Sequence, residues 1–181
     1  MSFADIWLFL QQGVLSGLVT GSVYALLAVA VVIIFKTCLL YTSGIESEPG
    51  DMLVLRTGYA EAVVAMAGKP DAEVLHTYGA ALDGTDAALL QWITDSGIAA
   101  ICADNYAVEA YPAREKTGPR AMLPLHHHCL FKLGLPLAEL WYLKDLADWL
   151  RANGRHRFML TAPPLRLPHA IGSPVTPIAT V

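Results

Sequence analysis

The apolar positions of this chain fall into two regimes. From Ile6 to Phe35 no charged residue interrupts the sequence. The most apolar part of that run, GSVYALLAVAVVIIF over residues 21–35, suits a bilayer-spanning helix, which takes about 20 apolar residues. Gly13, Gly17 and Gly21 recur at four-residue intervals with Ser16 and Ser22 nearby, a small-residue face fitted to close helix packing in lipid. A signal peptide fits less well, because the leader carries Asp5 instead of Lys or Arg and no small-x-small cleavage pattern follows. A buried soluble helix is the remaining reading, and the run is longer than a core helix needs. One hydrophobic, transmembrane-type helix over residues 1–36 is expected, with membrane contact through residues 6–35.

After residue 44 short apolar runs alternate with amphipathic ones. GDMLVLRTG (residues 50–58) reads as a buried strand between glycines. Residues 59–82 are rich in Ala and Gly and ambiguous, with a turn at Gly68-Lys69-Pro70. Thr85 can cap a helix through AALLQWITDSG, with Ala88, Leu89, Trp92 and Ile93 on one face and Gly97 as its stop. IAAIC (residues 98–102) reads as a second buried strand, leaving Ala103-Asp104-Asn105 at its exit. In α/β folds such exits commonly carry function, although turn formation alone explains Asp104 and Asn105. A polar loop over residues 112–120 leads to a histidine run. Beyond it, Leu143, Leu146, Ala147, Trp149 and Leu150 form the apolar face of another helix that Gly154 ends. RHRFMLTAPPL predicts a further strand, and the prolines of the tail exclude long regular structure. The pattern is that of an α/β domain over residues 45–181. No internal repeat or phosphate-binding glycine loop appears.

Charge narrows the class. Asp5 and Lys36 are the only charged residues up to Ser43, so the net charge of −4 belongs wholly to the remainder. A mildly acidic domain without a basic stripe argues against nucleic acid as a partner. The hydrophobic fraction of 55% is high for a soluble protein, and the first segment supplies the excess. Cys38, Cys102 and Cys129, odd in number and widely spaced, offer no disulfide framework. They fit a reducing compartment, which places the globular part in the cytoplasm unless a genuine N-terminal segment anchors it to a membrane.

The candidate chemistry lies in AMLPLHHHCLFKLGLPLAELW, residues 121–141. Imidazole and carboxylate are the side chains that a divalent cation takes in an open site, and here His126, His127 and His128 precede Glu139. On one unbroken helix, positions thirteen apart lie about 220° apart around the axis. Gly134 and Pro136 interrupt any such helix. About eight helical residues rise roughly 12 Å, and five extended residues can span about 16 Å, so the return segment can bring Glu139 back beside His126. Spacing permits a shared ion without demanding one. Three consecutive helical residues point three ways, and a His triplet on spacing alone is more often surface decoration. Glu139 alone reads equally as a solvated charge.

Two resemblances bear on these readings. GLVTGSVYALLAVAVVIIF resembles the first transmembrane segment of branched-chain amino-acid ABC transporter permeases, over about the first 36 residues. CLLYTS, residues 38–43, is similar to translated library-adapter sequence, which makes residues 37–44 a junction and the chain a chimera of two coding pieces. A genuine anchor and linker is the alternative. The remainder resembles the C-terminal half of the bacterial cyclase family, metal-dependent hydrolases that include kynurenine formamidases and isatin hydrolases. Four ordered blocks carry this resemblance: GDMLVLRTGY, GIAAICADNYAVEAYP, PLHHHCLFKLGLPLAELWYLKDLADWL and FMLTAPPLRLPHAIGSPVTPIA.

The cyclase resemblance implies part of a swivelling β/β/α domain over residues 45–181. It implies a zinc or manganese ion with His126 and Glu139 as ligands; His128 in the same run, and Asp104 and Asn105 at the strand exit, are secondary candidates by position. The substrate would be a small, aromatic amide, formamide or lactam hydrolysed at its C–N bond, and the parent enzymes would be homo-oligomers. The family's main motif, His-x-Gly-Thr-His-x-Asp, is missing from this sequence; its nearest fragment, Gly84-Thr85-Asp86, lacks both histidines. A catalytic zinc keeps three protein ligands, and His128 or Cys129 would be a poor third. The metal site is therefore expected to be incomplete and the chain inactive. A membrane-anchored binding module without catalysis and a permease fragment are the alternative functions.

Overall fold

Two apolar runs bounded by glycines become neighbouring parallel strands in the computed structural model, which describes residues 45–181 apart from positions 116, 120 and 171. The expected hydrophobic helix over residues 1–36 and the junction at 37–44 lie outside the described residues. Of the two units into which the chain divides, Met1–Glu46 and Ser47–Val181, the second holds every element below. Strand β1 (Met52–Leu55) pairs in parallel with β2 (Ala100–Ala103), Met52 opposite Ala100 and Leu55 opposite Ala103. On the other side of β2 lies the short β3 (Leu137–Ala138), also parallel, so the sheet order is β1-β2-β3.

Parallel neighbours cannot be joined by a tight turn, and both connections carry helices. Between β1 and β2 run α1 (Tyr59–Ala65), α2 (Ala72–Thr77) and α3 (Ala87–Ser96). Between β2 and β3 the chain makes a long loop, then a short helix α4 (Pro124–His126) continuous with a π-helical stretch, His127–Leu133. The central strand is buried on both faces, as parallel strands usually are. Ile101, fully buried, and Ala103 pack with Ile93 of α3, Leu125 and Cys129, while Cys102 packs on the opposite side with Trp141 and Leu143. Burying a side chain such as Ile101 contributes about 1.5–3 kcal/mol.

The ambiguous segment 59–82 resolves into two short helices separated by the turn at Gly68, whose φ is 79°. Asp71 caps the second, accepting from the backbone N–H groups of Glu73 and Val74. The cap of α3 is Asp86 instead of the expected Thr85. Thr85 is engaged one step earlier: its N–H and its hydroxyl both donate to Asp83, at 2.9 and 2.6 Å, a side-chain turn that competes with helix capping. Gly97 ends α3 in the left-handed region, φ 67°, as its sequence position suggests.

The predicted helix after the histidine run is α5 (Lys144–Ala152). Its apolar face is only half covered, and Trp149 remains 38% exposed under the Arg155 guanidinium. The tail is less irregular than expected. Its last residues form β5 (Ile178–Thr180), antiparallel to β4 (Met159–Thr161), and Pro164 and Val175 bridge further along the same ribbon. Proline does not prevent this, because a two-stranded ribbon leaves one side of each strand unpaired. Among the described residues no helix is long and apolar enough to cross a membrane.

Candidate functional site

The histidine run begins where a helix has donors to satisfy. The first N–H groups of a helix have no carbonyl partner within it, and Pro124 at the first position of α4 has no N–H to lose. The next two N–H groups, of Leu125 and His126, both donate to the carboxylate of Glu109, each at 2.9 Å. Glu109 thus fixes the start of α4 from a position seventeen residues before His126. The same carboxylate oxygen that accepts the His126 N–H lies 2.9 Å from His126 Nδ1. The other ring nitrogen, Nε2, lies 3.0 Å from Glu139 Oε1. One imidazole therefore bridges two carboxylates. The Glu109 side chain is completely buried, whereas those of His126 and Glu139 are 20% and 35% exposed.

The return of the chain to Glu139 follows the break foreseen in the sequence. Gly134 closes the π-helical stretch at φ 67°, and the N–H of Leu135 donates to the carbonyl of Cys129. β3 then runs directly into Glu139. Leu140, at φ 59°, donates its N–H to the carbonyl of Asn105, which pins the carboxylate over the exit of β2. That exit is strained. Ala107 and Val108 have φ values of 68° and 58°, a region that costs energy for residues other than glycine and most of all for a β-branched one. The N–H of Glu109 closes this turn onto the carbonyl of Ala107 at 2.5 Å.

The electrostatics follow from these contacts. His126 is pushed up from 6.5 to about 9, first by its hydrogen bond to Glu109 and then by that to Glu139, against the opposing effect of burial. Glu139 is held below the ordinary carboxylate value, chiefly by His126 and further by the backbone N–H of Ala107. At neutral pH the ring is therefore held in its protonated form.

The other sequence candidates lie apart from this pair. His127 stacks on Phe131 at 5.3 Å between ring centroids. His128 turns to α3, its Nε2 2.9 Å from the hydroxyl of Thr94. Cys129 is fully buried in the core, and burial, helped by the charge of Glu109, pushes its thiol up to about 11, far from the thiolate a metal takes. Asp104 accepts from the N–H and hydroxyl of Thr57 and from the N–H of Gly58, all at 2.7 Å, and so ties the end of β1 to that of β2. Asn105 donates to the carbonyl of Ala80, and its buried side-chain oxygen has no hydrogen-bond partner among the described residues. Among the described residues no group of three metal-ligating side chains converges.

Glu109 was not among the sequence candidates. The only signal it carries is an isolated charge inside the apolar run YAVEAYP, and a lone Glu ordinarily signals a solvated position. Its burial depends on a pairing with β-bridge partner Leu82 and on the helix start it serves, both distant in sequence.

No protein-family profile matches the chain, and no curated protein matches it. Among solved structures, a crystal structure described as that of a novel cyclase matches it at 33% identity with a TM-score of 0.62. The match covers 77% of this chain and 42% of that one, so the chain spans less than half the length of its relative. The fold is cyclase-like. Neither the permease resemblance of residues 1–36 nor the expected chimera gains support from these matches.

Proposed function

We propose that residues 45–181 are part of a metal-dependent hydrolase of the cyclase family, with His126 and Glu139 as two ligands of one divalent cation, zinc or manganese. The observation that carries this reading is the 3.0 Å separation of His126 Nε2 and Glu139 Oε1 at a partly exposed edge. Two ligands each about 2.1 Å from one ion stand about 3.4 Å apart at a tetrahedral angle, so a shift of a few tenths of an ångström would let both atoms share an ion.

In such a site an ion supplies polarisation of a carbonyl and activation of water at neutral pH. The chain's own residues do the rest. Nε2 gives up its proton when a cation displaces it, and Ala107 and Leu140 hold the segment that carries Glu139. The substrate class is a small, aromatic amide, formamide or lactam cleaved at its C–N bond, following the cyclase likeness.

Two ligands are fewer than the three a catalytic zinc keeps. The polypeptide by itself is expected to bind zinc weakly and to leave an aryl formamide unhydrolysed. Isothermal titration with zinc, alongside His126→Ala and Glu139→Gln, tests this. Binding that falls by at least about tenfold in both variants supports the shared ion. Binding that both substitutions leave unchanged, or brisk turnover by the chain alone, would contradict the reading.

A further inference from the structure

We propose that Glu109 is a positioning residue: it fixes the proton on His126 Nδ1 and the plane of the ring, so that Nε2 is the nitrogen offered beside Glu139. The proposal rests on the metal reading for its purpose, but its geometry stands in the metal-free protein.

Glu109 cannot itself be a ligand at this edge. One oxygen accepts from the backbone N–H of His126 and faces Nδ1, the other accepts from the N–H of Leu125, and none of the side chain reaches solvent. Capping a short helix does not by itself call for such a residue. A small polar side chain at the cap position, here Leu123, serves helices ordinarily and needs no buried charge. What a capping residue at that position would not do is hold Nδ1. A carboxylate behind a ligating imidazole fixes its tautomer and orientation and raises its basicity.

Two further features of the fold serve this one carboxylate. A Cβ at Gly84 would lie only 2.1 Å from Glu109 Oε2 and 2.7 Å from the backbone nitrogen of Leu125. The glycine is there for room, since its backbone is not in the left-handed region. The strained turn at Ala107 and Val108 places Glu109 behind the ring, and the N–H of Ala107 faces the carboxylate of Glu139 in front of it. One turn therefore sets both acids about His126.

The test uses the full chain and two substitutions, Glu109→Gln and Gly84→Ala. The first keeps the shape and removes the charge; the second adds no polar group but crowds both the Glu109 carboxylate and the backbone nitrogen of Leu125. Zinc affinity by titration should fall about 10- to 100-fold in each. In metal-free wild type, nitrogen-15 NMR of the neutral His126 ring should show the proton on Nδ1, and Glu109→Gln should move that resonance. A merely structural role would lower thermal stability while leaving zinc affinity per folded molecule and the Nδ1 resonance unchanged, and that result would overturn the proposal. If wild type binds no zinc, the metal reading fails, and the tautomer decides the role of Glu109 separately. A wild-type ring protonated at Nε2 alone would overturn it even if neither variant folds.

Discussion

A single imidazole joins the two halves of the site, and its protonation has consequences for stability before any ligand is considered. His126 gains its proton more readily in the folded chain, rising from 6.5 to about 9. The stability contributed by that shift is fully present below pH 6.5 and is lost as pH rises through about 9. Glu139 works in the opposite direction: its contribution is present above the ordinary carboxylate value of 4.5 and is lost as pH falls through its lowered folded value. The metal-free protein should therefore be most stable between about pH 5 and 6.5 as far as this pair is concerned. Unfolding free energies from urea titrations in chelator should decline from pH 6.5 to 9.5, by on the order of 2 kcal/mol after solvent screening. The decline should flatten in His126→Ala. An equally steep decline in that variant would show that other groups cause it.

At this scale the sequence was informative about the front of the site and silent about its back. The meeting of His126 and Glu139 was readable because a Gly-Pro break lay between them. The preceding Glu109 was invisible, because nothing near it in sequence marks it as buried. His128, Asp104 and Asn105 were candidates by position alone, and the structure directs them to Thr94, to Thr57 and Gly58, and to Ala80.

Among the elements, the π-helical stretch and its stop decide whether the site assembles. Gly134 adopts φ 67°, and a Cβ there would meet no atom within 4 Å, so only its backbone conformation demands glycine. Gly134→Ala should cost about 1 kcal/mol by thermal or urea denaturation. A variant as stable as wild type would mean that the turn relaxes without cost. The strands and α3 were legible because apolar runs and glycine stops are local signals. The displaced cap was not, since Asp83, Thr85 and Asp86 compete for the same backbone donors and only geometry settles the competition. The terminal strand β5 was hidden for a different reason: its pairing with β4 is a long-range event, with Met159 opposite Thr180.

For the molecule as a whole, stability should be concentrated at the central strand, where both faces are covered. Ile101 is fully buried, and Ile101→Ala should cost about 2–5 kcal/mol in urea unfolding. The same change at Ile178, 55% exposed on the β4–β5 ribbon, should cost well under half of that. Equal losses at the two positions would mean that the ribbon belongs to the same cooperative core. The α/β class and the cyclase likeness were both legible, the first from alternation of strand and helix patterns, the second from four ordered blocks.

The shared cation is tested most directly by a crystal structure of the zinc-soaked protein with anomalous scattering at the zinc edge. The expected result is a single peak about 2.0–2.2 Å from both His126 Nε2 and Glu139 Oε1. Zinc bound elsewhere, with the 3.0 Å contact between those two atoms unchanged, would contradict it.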